Sequence, residues 1–232
     1  RELSAENIFE LQSELAAKIM TELHTQLTAD EKSRSHTQPT ADLETYRLLV
    51  EGRQALIDRS EEGFRAAQSL FERAVERDSE HALAWALLGA ALVGLVDYRH
   101  LDSADVLQQA ETACGRAMEL DPSLAESHSS WGGFRSCVRD APGAIAAHGR
   151  AIELRPSYAG AYQWSCWSHL LLGHSAEAPQ VGEKAGRLDP LDPAAASNLA
   201  IARLATGDAE GALELARRIF TQHPGFDYGL CI

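Results

Sequence analysis

Along residues 4–28 the apolar positions Ile8, Leu11, Leu15, Ile19, Leu23 and Leu27 recur at intervals of three and four, the stripe of one helical face. Ser4, with Asn7 nearby, stands where a side chain would cap the start of that helix. Residues 30–40 are polar, contain Pro39 and read as a linker, after which Thr40 or Asp42 caps a new helix. The longest uncharged apolar stretch, residues 82–96 between His81 and Asp97, is fifteen residues long. That is too short to span a bilayer comfortably and predicts a buried helix.

From about residue 42 the pattern repeats. Pro122, Pro156, Pro190 and Pro224 are each 34 residues apart. Similar words precede them: Met118-Glu-Leu-Asp, Ile152-Glu-Leu-Arg, Gly186-Arg-Leu-Asp and Ile219-Phe-Thr-Gln-His. Each reads as the last turn of a helix followed by a residue that cannot continue it. Ala110, Ala144, Ala178 and Ala212 lie twelve before each proline, and Ala117, Ala151 and Ala185 lie five before the first three, with Ile219 in the fourth place. Small residues at those positions let paired helices approach closely. Turn signals, Gly173-His-Ser and Gly207-Asp, fall between the two helices of a pair.

Thirty-four is the tetratricopeptide period. Trp85-Ala-Leu-Leu88-Gly89 matches the start of that motif's first helix, and Ala67, Phe71 and Ala74 match its second. From about residue 42 to the end the chain resembles the tetratricopeptide repeat family. The resemblance implies an all-α fold, a right-handed superhelical solenoid of antiparallel helix pairs, here with an extra N-terminal helix. Five units follow: 43–81, with extra residues near 58–63; 82–124, with about nine extra around 97–104; and 125–158, 159–192 and 193–226. The motif's Leu-Gly is replaced by Trp131-Gly132 in unit three, Ser165-Cys166 in unit four and Leu199-Ala200 in unit five, divergence of the kind repeat arrays carry.

Several words before and into the array are similar, in order, to bacterial multidomain regulators in which a TolB-like segment runs into tetratricopeptide repeats: Glu6-Asn-Ile-Phe9-Glu-Leu-Gln12, Leu27-Thr-Ala-Asp-Glu31, Pro39-Thr followed by Leu43-Glu and Tyr46, and Glu51-Gly52-Arg53. In those proteins the N-terminal part is an adenylate cyclase-related domain or a winged helix. The resemblance implies that residues 1–41 are the end of a truncated TolB-like domain, that 42–232 are the array, and that the chain is a sensory or regulatory arm. A first residue of Arg rather than Met reads as a fragment of a longer protein.

Composition narrows the function. Net charge is -13, which a phosphate backbone would repel, so direct nucleic-acid binding is not expected. Hydrophobic residues at 45% provide for a core, and aromatics at only 6% suit closely packed helices. Cys114, Cys137, Cys166 and Cys231 form no C-x-x-C pair. Buried free thiols in a reducing compartment are expected, and with no export signal the cytoplasm is the expected location, although a Cys137–Cys166 bridge between neighbouring helices stays open. Phosphate loops and H-E-x-x-H are absent, Gly182 and Gly186 lie inside a repeat helix, and His169 and His174 are five apart across a turn. No enzyme, cofactor, metal or membrane insertion is expected.

The family implies where a ligand would sit: the first helices of the repeats line the concave face. Its groove positions fall on Ser129 and Ser130 in unit three, Gln163, Trp164, Trp167 and Leu171 in unit four, and Asn198 and Ile201 in unit five. Trp164 and Trp167, three apart, share one helical face and suit an apolar anchor, unless they pack against neighbouring repeats. The basic residues of a carboxylate clamp are missing from these positions, so an apolar helix or an extended segment is the expected ligand. The expected partner is a protein or peptide, or another domain of the parent chain. A homodimer through the N-terminal helix or the C-terminus is the second expectation.

Overall fold

The computed structural model describes residues 42–99, 104–223 and 226, with Glu14, Leu15 and Lys18. The predicted helix over 4–28 and its linker otherwise lie outside the described residues, as do residues 100–103 of the second unit's insertion and Cys231. Glu14, Leu15 and Lys18 are helical and exposed.

Among the described residues there are ten α-helices and no strand: α1 Leu43–Ala55, α2 Glu61–Arg77, α3 Ala82–Arg99, α4 Ala104–Leu120, α5 Ala125–Cys137, α6 Ala141–Leu154, α7 Ala159–Leu171, α8 Ala178–Leu188, α9 Pro193–Ala205 and α10 Ala209–Gln222. They form five antiparallel pairs stacked as a solenoid. The first helices of the pairs have 13 residues, except α3, which has 18. Part of the second unit's insertion therefore lengthens a helix rather than a loop.

The ends of the helices follow from local chemistry. Asp42, Ser60, Asp140, Asp192 and Asp208 each accept a backbone N–H in the first turn of the helix they precede. Asp42 also accepts from Arg77 Nε at 2.8 Å, and this guanidinium, with the Thr45 hydroxyl, holds its carboxyl well below the usual carboxylate range. Within the last three pairs the turn is one motif used three times. Arg139, Gly173 and Gly207 have φ of 62°, 71° and 87°, and the next residue donates its N–H to Arg135, His169 and Arg203 at 2.8, 2.9 and 2.9 Å. At the other end of each pair Asp121, Arg155, Asp189 and His223 close the helix on Ala117, Ala151, Ala185 and Ile219 just before the ladder prolines.

Within a pair the helices touch through a complementary exchange of size. Gly52 lies against Phe71, Gly89 against Cys114, Gly132 against His148, and in the fourth pair the order reverses, with Cys166 against Gly182. The same register reaches Ala200 and Ala216 in the fifth. Ser165-Cys166 in place of Leu-Gly is thus matched by a glycine on the partner helix. The ladder alanines Ala110, Ala117, Ala144, Ala151, Ala178 and Ala185 are wholly buried. The main core, with Leu48, Phe71, Leu88, Leu92, Cys114 and Phe134, joins the first three pairs. Beyond it the clusters are built of alanine with a few larger residues: Ala125, Ala151 and Ala161, then Cys166, Ala178 and Ala202, then Leu199, Ala200 and Leu215.

Candidate functional site

By the family's pattern the first helix of each pair would line the inner face, and the eight residues expected there fall into two groups. Ser129 and Ser130 on α5, Gln163 on α7 and Asn198 on α9 are buried. Trp164, Trp167 and Ile201 are half-buried, and Leu171 is 37% exposed. The burial has a local cause. The inner side of α5 carries Ser129, Ser130 and Gly133, so α3 and α7 approach it closely; Val93 sits against Gly133, and Trp164 packs against the core of the first three pairs. What remains is a cavity of about 40 Å³ bordered by Leu87, Val93, Ser129, Tyr158 and Trp164. That is room for water, far below the volume of a small-molecule site.

Polar groups on this face are incompletely satisfied. Asn198 Nδ2 donates to the Gln163 main-chain oxygen at 3.2 Å. Asn198 Oδ1, both side-chain polar atoms of Gln163 and Ser197 Oγ are buried and meet no partner. Ser168, deeper in α7, is satisfied by Trp164 O at 3.0 Å and by Ser136 at 3.1 Å.

Charged groups gather at the N-terminal ends of α5, α7 and α9. Glu126 pairs with Arg155 at 2.8 Å and lies 3.8 Å from Arg53. Arg155 stacks over Tyr158 with its guanidinium 4.1 Å from the ring centre, and burial raises the Tyr158 hydroxyl above its ordinary range. Arg59, between α1 and α2, donates to Asp192 Oδ2 at 2.9 Å. Glu126 stands at one of the family's groove positions in unit three, whereas Arg53, Arg59, Arg155 and Asp192 were not among the expected site residues. One signal was in the sequence: Arg155 replaces the aspartate that precedes the proline at Asp121 and Asp189. Asp121 and Asp189 receive the N–H two residues on, at 2.8 and 3.2 Å, whereas Arg155 turns to Glu126.

Cys114, Cys137 and Cys166 are free, and burial pushes each thiol up to about 12, so they stay protonated and unreactive at neutral pH. Among the described residues no three His, Cys, Asp or Glu come together as a metal-holding group, and no helix is long and apolar enough to cross a membrane.

No protein-family model and no curated protein matches the chain. Solved structures do. A thermophilic TPR protein of Thermus thermophilus is similar over 78% of this chain and 92% of its own, with a TM-score of 0.62 at 20% identity. This chain has the tetratricopeptide-repeat fold. PilW, a type IV pilus biogenesis factor, is similar over 81% of both chains with a TM-score of 0.57 at 17% identity. PilF of Pseudomonas aeruginosa is similar over 79% of this chain and 78% of its own, with a TM-score of 0.56 at 19% identity.

Proposed function

We propose that this chain is a non-catalytic protein-interaction module whose inner face, on α5, α7 and α9, receives a segment of a protein partner or of another domain of the parent chain. One observation carries the reading: Gln163, Ser197 and Asn198 are buried there with side-chain polar atoms left unpaired. An unsatisfied buried polar atom costs about 1–3 kcal/mol, and a ligand that supplies the missing bonds recovers that cost. Gln163 offers a donor and an acceptor, Ser197 a hydroxyl and Asn198 an acceptor, the complement of an extended main chain. Trp167 and Leu171, four apart on α7, add an apolar flank. A phage-displayed peptide library panned against the chain supplies a ligand, whose affinity is then read by fluorescence anisotropy. Asn198→Ala and Trp167→Ala should each weaken it at least tenfold with unchanged circular dichroism. Wild-type affinity in both variants would remove the inner face from consideration.

The sequence resemblance supports a narrower setting, the regulatory arm of a multidomain bacterial signalling protein of the adenylate cyclase-related or winged-helix kind. Reading the gene upstream of Arg1 tests it. A cyclase or winged-helix domain in frame supports the arm, and a start codon beside Arg1 discards it. A second reading, homodimerisation, rests on α10, where Leu213 and Phe220, seven apart on one face, are 50% and 56% exposed. A monomer at every concentration in sedimentation would dispose of it.

A further inference from the structure

The first unit carries more residues between its helices than the repeat period requires, and the structure gives them a use. Leu56–Asp58 forms a 3-10 turn, from which Leu56 packs against the core of the first three pairs. Arg59 follows in left-handed backbone, φ 48° and ψ 27°, a conformation that costs a residue other than glycine on the order of 1 kcal/mol. The conformation directs its guanidinium to Asp192 at 2.9 Å, a tie between residues 133 apart that joins the first helix pair to the fifth. Side-chain exposure is 20% for Arg59 and 12% for Asp192, so the tie is largely out of water. Asp192 is itself fixed, its other oxygen accepting the Ala194 N–H at 3.0 Å as the cap of α9. A second tie runs from Arg53 at the end of α1 to Glu126 in the first turn of α5, which Arg155 also holds. Glu126 borders the nearly filled space of about 40 Å³, and the helix that Asp192 caps carries the buried, unpaired polar atoms of Ser197 and Asn198.

We propose that the loop between α1 and α2 is a strap that holds the inner face shut, and that a partner enters only when the Arg59–Asp192 tie opens. This rests on the inner face being the partner surface. An ion pair suits such a fastener. Its attraction is largely offset by desolvation, so the net hold is small and the open state stays populated enough for a ligand to capture. The strained backbone at Arg59 lowers the hold further, and it persists because the tie requires it there.

The test uses two nitroxide labels, at Ile57→Cys and Leu191→Cys, which flank the tie and are 60% and 72% exposed. Cys137 and Cys231 are changed to serine in this background, while Cys114 and Cys166 are wholly buried. Double electron–electron resonance reads the distance across the mouth without any partner. Arg59→Asn removes the cation and keeps a residue that tolerates left-handed backbone. Asp192→Asn removes the anion and keeps a good cap. Each should shift population to longer distances, raising the ratio of open to closed about tenfold, the effect of losing a tie of about 1.4 kcal/mol. Distributions that superimpose on the parent in both variants would overturn the strap. The affinity of the library-derived peptide should rise in Arg59→Asn by up to the same factor, because the competent fraction rises. An opened mouth with unchanged affinity would overturn the gating. If panning yields no inner-face ligand, the reading of that face fails, and the label distances still decide the strap.

Discussion

Gly132 and His148 provide a measurement of how tightly one helix pair is built. A Cβ on Gly132 would fall 2.5 Å from His148 Cε1, 2.7 Å from Nδ1 and 2.8 Å from Nε2. His148 is wholly buried and has nowhere to turn. Gly132→Ala therefore gains about 1 kcal/mol of helix propensity and loses on the order of 3 kcal/mol to overpacking, a net loss of about 2 kcal/mol. His148→Ala leaves a cavity and costs about 2–3 kcal/mol, the removal of two unpaired ring nitrogens keeping it from costing more. In the double variant the new methyl enters the vacated space, the overpacking disappears and the propensity gain remains. The total loss should then be about 1 kcal/mol where simple addition gives more than 4, a coupling of about 3 kcal/mol. Urea denaturation followed by circular dichroism, at unchanged slope, supplies the four values. Losses that add within about 0.5 kcal/mol would show that the two helices separate freely, and that size matching does not hold the pair together.

Acid should weaken the fold through the same histidine. Burial pushes His148 down to about 3, so between about 6.5 and 3 the unfolded chain binds the proton and the folded chain does not, and stability falls as pH falls. From pH 7 to pH 5 the loss is about 2 kcal/mol, and His148→Met should flatten the slope of the urea midpoint against pH by about one proton. Gly115 and Gly149 are the opposite of Gly132, because a Cβ at either meets nothing within 4 Å. Alanine at each should raise stability by about 0.5–1 kcal/mol, read as a higher melting temperature, and a decrease at both would refute the open space. Arg139 occupies, at φ 62°, the turn position that glycine fills in the next two pairs. Arg139→Gly should stabilise by about 0.5–1 kcal/mol in the same melt, and a loss would mean that the arginine makes up its strain elsewhere.

The fold was legible because a solenoid writes its packing at fixed intervals. The prolines, the ladder alanines and Gly173 and Gly207 stand where a helix must stop, where backbones touch or where φ turns positive, and each of those needs dictates a residue type. The size exchange across a pair was less visible. Cys166 looks like a departure until Gly182 is seen beside it, a match that spacing suggests but only contact establishes. For the proposed inner face, family position was legible and the state of the residues there was not. Family position puts Gln163 and Asn198 on it, yet how deeply they are buried depends on how far the solenoid curls. That is set by Ser129, Ser130 and Gly133 admitting Trp164 and Val93 from neighbouring pairs. The Arg59–Asp192 tie could not be read at all, because no local rule relates residues 133 apart.

That tie also changes how stability is shared. In a solenoid each unit normally draws on itself and its nearest neighbours. Phe71 and the leucines of the first three pairs are each worth about 1.5–3 kcal/mol of burial, whereas an alanine methyl contributes about 0.8 kcal/mol. The last two pairs are therefore the weaker end. Within them α8 has only 11 residues, contains Gly182 and Gly186, and is preceded by Glu177, which makes no side-chain cap bond. By nearest-neighbour logic α9 and α10 should open first and independently of α1. The strap contradicts that independence by fastening the cap of α9 to the well-packed end. Arg59→Asn should then speed amide hydrogen exchange in α9 and α10 about tenfold, the effect of roughly 1.4 kcal/mol, and leave α3 and α5 unchanged. Faster exchange confined to α1 and α2 would mean that the arginine steadies only its own turn, and that the two ends of the array are energetically separate.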